Sequence, residues 1–102
     1  MHLVQILLPI YDNEHQAFPH ELYGRVRSEL TSKFHGLTAY TRAPAEGLWK
    51  QEGQHTSRDE IVIFEVMVPD LDRQWWNAYR QKLEKDFRQD VLIIRAIQTE
   101  VL

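Results

Sequence analysis

The chain has 102 residues, a formal net charge of −3 and no cysteine. That length holds one domain, residues 1–102, around one core. A composition of 43% hydrophobic and 26% charged residues is that of a globular protein. The acidic balance argues against a general nucleic-acid binder, which needs clustered Lys and Arg for phosphates. The missing cysteines exclude disulfides, thiolate catalysis and Cys-ligated zinc or iron–sulfur centres.

Met1 to Leu8 carries no basic n-region and no small-residue cleavage site, so it reads as a strand rather than a signal peptide. A cytoplasmic location is expected. No apolar run reaches the roughly 18 residues that a membrane span needs, so no membrane is expected as a partner.

Leu3 to Ile10 is a nearly continuous apolar run and predicts the first strand. The polar stretch Tyr11 to Gln16 predicts a loop. Pro19 suits the first turn of a helix, and Leu22, Tyr23, Val26, Leu30 and Phe34 recur at helical spacing as far as Gly36, a left-handed terminator. The first helix is therefore placed at Pro19 to His35.

Leu37 to Arg42 predicts a second strand. Ala43 to Glu60 holds Pro44, Gly47 and Gly53 and reads as irregular, with Leu48 to Lys50 as a short extra strand. Ile61 to Val68 is the strongest strand pattern and ends at Pro69. Asp70 is placed as the N-cap of a second helix, Leu71 to Gln89, with Trp76, Tyr79, Leu83 and Phe87 on its inner stripe. Val91 to Thr99 predicts the last strand.

The order βαββαβ predicts an α+β, ferredoxin-like fold, a four-stranded antiparallel sheet in the order 4-1-3-2 with two helices on one face. With period-two alternation, Val4, Ile6, Leu8, Val62, Phe64, Val66, Val68, Leu92, Ile94 and Ala96 point to the helices. The other face is also mostly apolar: Leu3, Leu7, Ile61, Ile63, Met67, Val91, Ile93 and Ile97. An antiparallel sheet with one wet face normally alternates apolar with polar residues. The protein is therefore expected to dimerise through this open face, giving a homodimer.

One polar residue interrupts each strand of that face: Gln5, Glu65 and Arg95. If they align, they form a row across the sheet that Tyr40 or Arg42 extends. Two readings follow. In one, Glu65 and Arg95 form a structural ion pair inside the dimer interface. In the other, the row lines a pocket in which Arg95 holds an anionic group and Glu65 or Tyr40 handles a proton.

This pattern with an apolar open face resembles the dimeric α+β barrel superfamily of ferredoxin-like proteins. That group includes cofactor-independent monooxygenases of the antibiotic-biosynthesis type and stress-responsive barrel proteins. Phe34 to Tyr40, followed by Gly47-Leu48-Trp49, resembles a signature of a bacterial family with no assigned reaction. The monooxygenase-like members use an Asn among aromatic residues, but the spacing of Asn13, Asn77, Trp49, Trp75 and Trp76 carries no catalytic role across. His2 stands where a tautomerase would need proline.

His2, His15, His20, His35 and His55 form neither an HxH nor an HExxH pattern, so no metal site is assigned. They read as solvent-exposed, and no cofactor is expected. Trp76 reads as core and Trp75 as packing at the stripe's edge. Trp49 reads as a lid or dimer contact. Arg80 to Arg88 reads as a solvated helix face with i,i+4 pairs such as Glu84–Arg88.

No catalytic residue is assigned. Three functions stay open: a homodimer binding a small organic ligand between sheet and partner, a metal-free monooxygenase- or isomerase-like enzyme on a hydrophobic substrate, and a pure assembly module. The candidate ligand-binding residues are Gln5, Tyr40, Arg42, Trp49, Glu65 and Arg95.

Overall fold

The computed structural model describes the backbone of residues 1–50 and 56–102, and the side chains of residues 1–40 and 61–102. The elements run β1 (His2–Pro9), α1 (His20–Phe34), β2 (Thr38–Lys50), β3 (Thr56–Val68), α2 (Arg73–Asp86) and β4 (Ile94–Gln98). They form one four-stranded sheet in the order β2-β3-β1-β4, all neighbours antiparallel. This is the expected ferredoxin-like βαββαβ arrangement.

Both helices pack on one side of the sheet. Val4, Ile6 and Leu8 of β1 and Val62, Phe64, Val66 and Val68 of β3 are buried in one core. Val26 and Leu30 of α1 and Trp76, Tyr79 and Leu83 of α2 join them there. These are the positions that strand parity and helical spacing select, because burial of the apolar set is the dominant favourable term in folding. Phe87, just past α2, packs edge-on to Phe18 with ring centroids 5.2 Å apart, which ties the loop before α1 to the core.

The ends of the elements differ from the sequence reading. The residue that leaves α1 in the left-handed conformation is His35 (φ 61°), not Gly36, and its N–H donates to the Thr31 carbonyl. Pro19 is the N-cap of α1 rather than its first helical residue. α2 is capped by Asp72, whose Oδ1 accepts from the Trp75 N–H at 3.1 Å, and not by Asp70. β4 is only Ile94–Gln98, so Val91 to Ile93 lead into it as irregular chain and Ala96 stays exposed.

The largest correction concerns Ala43 to Glu60, expected to be irregular. β2 continues through this stretch to Lys50 and pairs with β3 from Ala45↔Ile61 to Lys50↔Thr56. A register shift between Tyr40 and Ala45 absorbs Pro44. An edge strand with an irregularity is where a residue lacking an N–H can sit without losing a ladder bond.

The charged face of α2 is also paired differently. Glu84 accepts from Arg80 at 3.0 Å rather than from Arg88, and Lys82 bridges Asp86 and Glu29 of α1, each at 3.1 Å. Arg88 has left the helix (φ 51°) and reaches Asp12 at 3.4 Å instead. These pairs lie at or near the surface, where solvent screens ion pairs and leaves each a small contributor to stability.

No helix among the described residues is long and apolar enough to cross a membrane.

Candidate functional site

β1 is the middle strand of three, and its register fixes the site. Gln5 lies directly opposite Glu65 on β3 and directly opposite Arg95 on β4. The three residues share the face of the sheet away from the helices, so they stand side by side as expected.

Their side chains form one continuous chain of hydrogen bonds. The Arg95 Nε–H donates to Gln5 Oε1 at 2.7 Å. Gln5 Nε2 donates to Glu65 Oε1 at 2.5 Å. The Tyr40 hydroxyl donates to Glu65 Oε2 at 3.2 Å. Tyr40 sits opposite Ile63, one pleat along from Glu65, and reaches it diagonally.

The amide of Gln5 is therefore oriented from both ends, with its oxygen toward the cation and its nitrogen toward the anion. Arg95 spends only Nε on this chain, which leaves its two terminal nitrogens for a planar oxyanion. Each Glu65 oxygen accepts one hydrogen bond and retains a further lone pair. The row thus presents a cationic end over β4 and an anionic end over β3.

Tyr40 responds to this arrangement. Its hydrogen bond to Glu65, then the charge of that carboxylate, then burial hold the phenol above its ordinary value. A phenolate there would face a negative charge, so Tyr40 is a hydrogen-bond donor at neutral pH.

Around the row the face is apolar. Leu3, Leu7, Ile61 and Ile63 are half-buried, while Met67, Ile93 and Ile97 are about half exposed at 46%, 52% and 48%. Burying each large side chain from water is worth about 1.5–3 kcal/mol, so the face is costly to leave bare.

The structure thus brings Gln5, Tyr40, Glu65 and Arg95 together. Arg42 and Trp49 lie on β2, and their side chains fall outside the described residues. His55 also falls outside them. His15, His20 and His35 are exposed and His2 is half-buried. Among the described residues no group of three or more His, Asp or Glu is placed to hold a metal ion.

Trp75 and Trp76 are packing residues. Trp76 stacks on Phe34 with centroids 5.3 Å apart, and Trp75 stacks on Tyr79 at 4.8 Å.

One feature of the surface was not anticipated. A cavity of about 370 Å³ opens between α1 and the middle of β3, with Ile10, Phe18, His20, Tyr23, Arg27 and Val62 in its wall. The only sequence signal for it is the spacing of His20, Tyr23 and Arg27, which places them on one stripe of α1.

No family model matches the chain, and no curated protein matches it. Solved structures do. A phage SAM lyase in complex with S-methyl-5'-thioadenosine aligns with a TM-score of 0.63 at 11% identity, covering 95% of this chain and 80% of that one. CutA1 from Pyrococcus horikoshii aligns with a TM-score of 0.57 at 14% identity, covering 100% of this chain and 86% of that one. The same phage lyase in its apo state gives 0.51 at 11% identity, over 99% and 91% of the two chains. Likeness at this level of identity shows the small ferredoxin-like α+β fold and nothing finer.

Proposed function

We propose that the protein is a homodimer, built as a dimeric α+β barrel, that holds a small organic ligand between its open sheet face and the partner. The observation that carries this reading is the row Arg95–Gln5–Glu65–Tyr40 set into an otherwise apolar face. A sheet face meant for water would alternate. A cation and an anion with hydrogen-bonding capacity to spare need partners if the face is covered, and a charged ligand would supply them.

The row runs from positive to negative across β4, β1 and β3, which makes the face complementary to itself. A two-fold axis parallel to β1 sets Arg95 of one protomer opposite Glu65 of its partner and joins the apolar flanks. An axis running along the row would instead oppose like charges. The first arrangement is an isologous interface of the common kind.

The ligand that fits such a floor has an apolar body, an anionic group for the terminal nitrogens of Arg95 and a cationic centre for Glu65. S-adenosylmethionine, the compound named in the phage lyase's activity, carries the anionic and cationic groups, on an adenosine body whose flat base can lie on the apolar face. S-methyl-5'-thioadenosine lacks both charges and serves as its uncharged counterpart. Tyr40 is the residue positioned to handle a proton there if the site is catalytic.

A second reading rests on the same self-complementarity. If Arg95 and Glu65 satisfy one another across the two-fold, the face is a pure assembly surface. Native mass spectrometry followed by calorimetric titration with S-adenosylmethionine separates the readings. A dimer that binds this ligand, and loses it in Arg95→Ala, supports the ligand site. A dimer that binds neither compound supports the assembly module, and a monomer at micromolar concentration overturns both.

A further inference from the structure

The cavity beside α1 lies on the opposite side of the sheet from the polar row. Val62 in its wall belongs to the helix-facing set of β3, whereas Glu65 belongs to the open face. At about 370 Å³ it falls within the range of small-molecule pockets, roughly 300–1,000 Å³.

Its walls are built rather than incidental. Tyr11 and Ala17 form a bridge, and the Phe18 N–H donates to the Ile10 carbonyl at 3.1 Å. The carboxylate of Asp12 accepts from the Glu14 and Gln16 N–H groups at 2.8 and 2.9 Å, closing the loop between them. The hydroxyl of Tyr23 donates to the Pro9 carbonyl and fixes α1 against the end of β1. Burial pushes that phenol up to about 12, so it stays protonated and committed to this bond at neutral pH.

The lining has two distinct parts. Ile10, Phe18 and Val62 are apolar, and the ring of Tyr23 extends that surface. His20 and Arg27 supply the basic groups, and no carboxylate lines the cavity among the described residues. Arg27 is an exposed residue whose guanidinium lies 5.4 Å from the centre of the Phe64 ring. At the start of α1, Pro19 offers no side-chain acceptor to the first turn, which carries Glu21 as its one acidic residue, whereas Asp72 caps α2. An anion in the cavity would meet the side chains of His20 and Arg27, with Glu21 absent from the lining.

We propose that this cavity is a second ligand site, separate from the open face, that takes an organic carboxylate with a compact apolar body. The carboxylate pairs with Arg27 and His20, and the body lies against Phe18, Tyr23 and Val62.

The test uses the isotope-labelled full chain in NMR titrations with phenylacetate and with its uncharged isostere phenylacetamide. Phenylacetate is expected to shift the amides of Phe18, His20, Tyr23 and Arg27 with a Kd at or below about 1 mM, and phenylacetamide is expected to bind at least about tenfold more weakly. Arg27→Gln, with its spectrum otherwise native, is expected to weaken phenylacetate about tenfold, as loss of a charge-assisted pair should. If that variant does not fold, His20→Gln reads the same contact. Equal binding of acid and amide, shifts centred anywhere else on the protein, binding unchanged in the folded variant, or no saturable shift by about 10 mM overturns the proposal. Glu65→Gln should leave this binding unchanged, so failure here is distinguishable from failure of the open-face reading.

Discussion

Gln5 Nε2 stands 2.5 Å from Glu65 Oε1, although the two residues are 60 positions apart in the chain. The contact exists because β1 and β3 pair antiparallel in a register that sets these two residues opposite each other. It converts two isolated interruptions of apolar strands into one polar row, and Arg95 and Tyr40 complete it.

Gln5→Leu tests the row directly. The substitution removes the donor to Glu65 and the acceptor for Arg95 together, while keeping the volume apolar. Because Glu65 is half-buried, the expected loss is about 1–3 kcal/mol of stability. Urea unfolding followed by tryptophan fluorescence measures it. A variant as stable as the parent would show that water satisfies both charges equally well.

Glu65→Gln should lower the titration of Tyr40. The phenol is held high first by its hydrogen bond to this carboxylate and second by the carboxylate's charge. Removing the charge relieves repulsion of the phenolate, so ionisation begins at lower pH. Spectrophotometric tyrosine titration of Glu65→Gln against the parent, with Tyr40→Phe to identify the residue, should show one transition moving down. Unchanged curves would mean the two groups do not interact in solution.

On the open face, Ile93→Lys should shift the protein from dimer to monomer without unfolding it. Ile93 is 52% exposed in the single chain, so the charge costs little there, but it would be desolvated in the proposed interface. Sedimentation velocity and thermal unfolding together decide this. A dimer retained at micromolar concentration would place the interface elsewhere.

Phe64→Ala should be far more damaging than any change on the open face. Its side chain is fully buried at the centre of the core, and truncations of this kind cost about 3–5 kcal/mol. Against a total stability of about 5–15 kcal/mol that is a large share. Chemical denaturation gives the value, and a loss under about 1 kcal/mol would contradict the packing described.

Acid should loosen the loop before α1. The Asp12 carboxyl lies below its ordinary value, chiefly through its hydrogen bond from the Gln16 N–H, with Glu14, Arg88 and His15 adding. A carboxyl lowered in the folded state contributes stability that is present above its unfolded value and is lost as pH falls through the folded one. Amide exchange at Glu14 and Gln16 should therefore accelerate, relative to the rest of the chain, only in acid below the normal Asp range. Uniform acceleration would deny Asp12 this role.

Much of the fold was legible because burial follows simple periods. The set Val62, Phe64, Val66 and Val68 alternates with period two, and Trp76, Tyr79 and Leu83 repeat along one stripe of a helix, so each declares its inward side locally. The extension of β2 was not legible. Pro44 and Gly47 oppose strand formation locally, and their place in a strand depends on pairing with β3 and on the register shift after Tyr40. The caps were missed by one or two residues for a related reason. Asp70 and Asp72 are chemically equivalent caps, and only the path of the chain out of β3 selects between them.

The amino-acid sequence by itself determined the order of elements, the membership of the core and the presence of Gln5, Glu65 and Arg95 on one apolar face, since all three follow from periodicity along the chain. Tertiary structure alone decided that these residues meet and that Tyr40 bonds to Glu65, and it alone formed a cavity between α1 and β3. Hydrogen bonds act over about 3 Å and cavities depend on how elements pack, so neither is encoded until register and helix placement bring distant segments together.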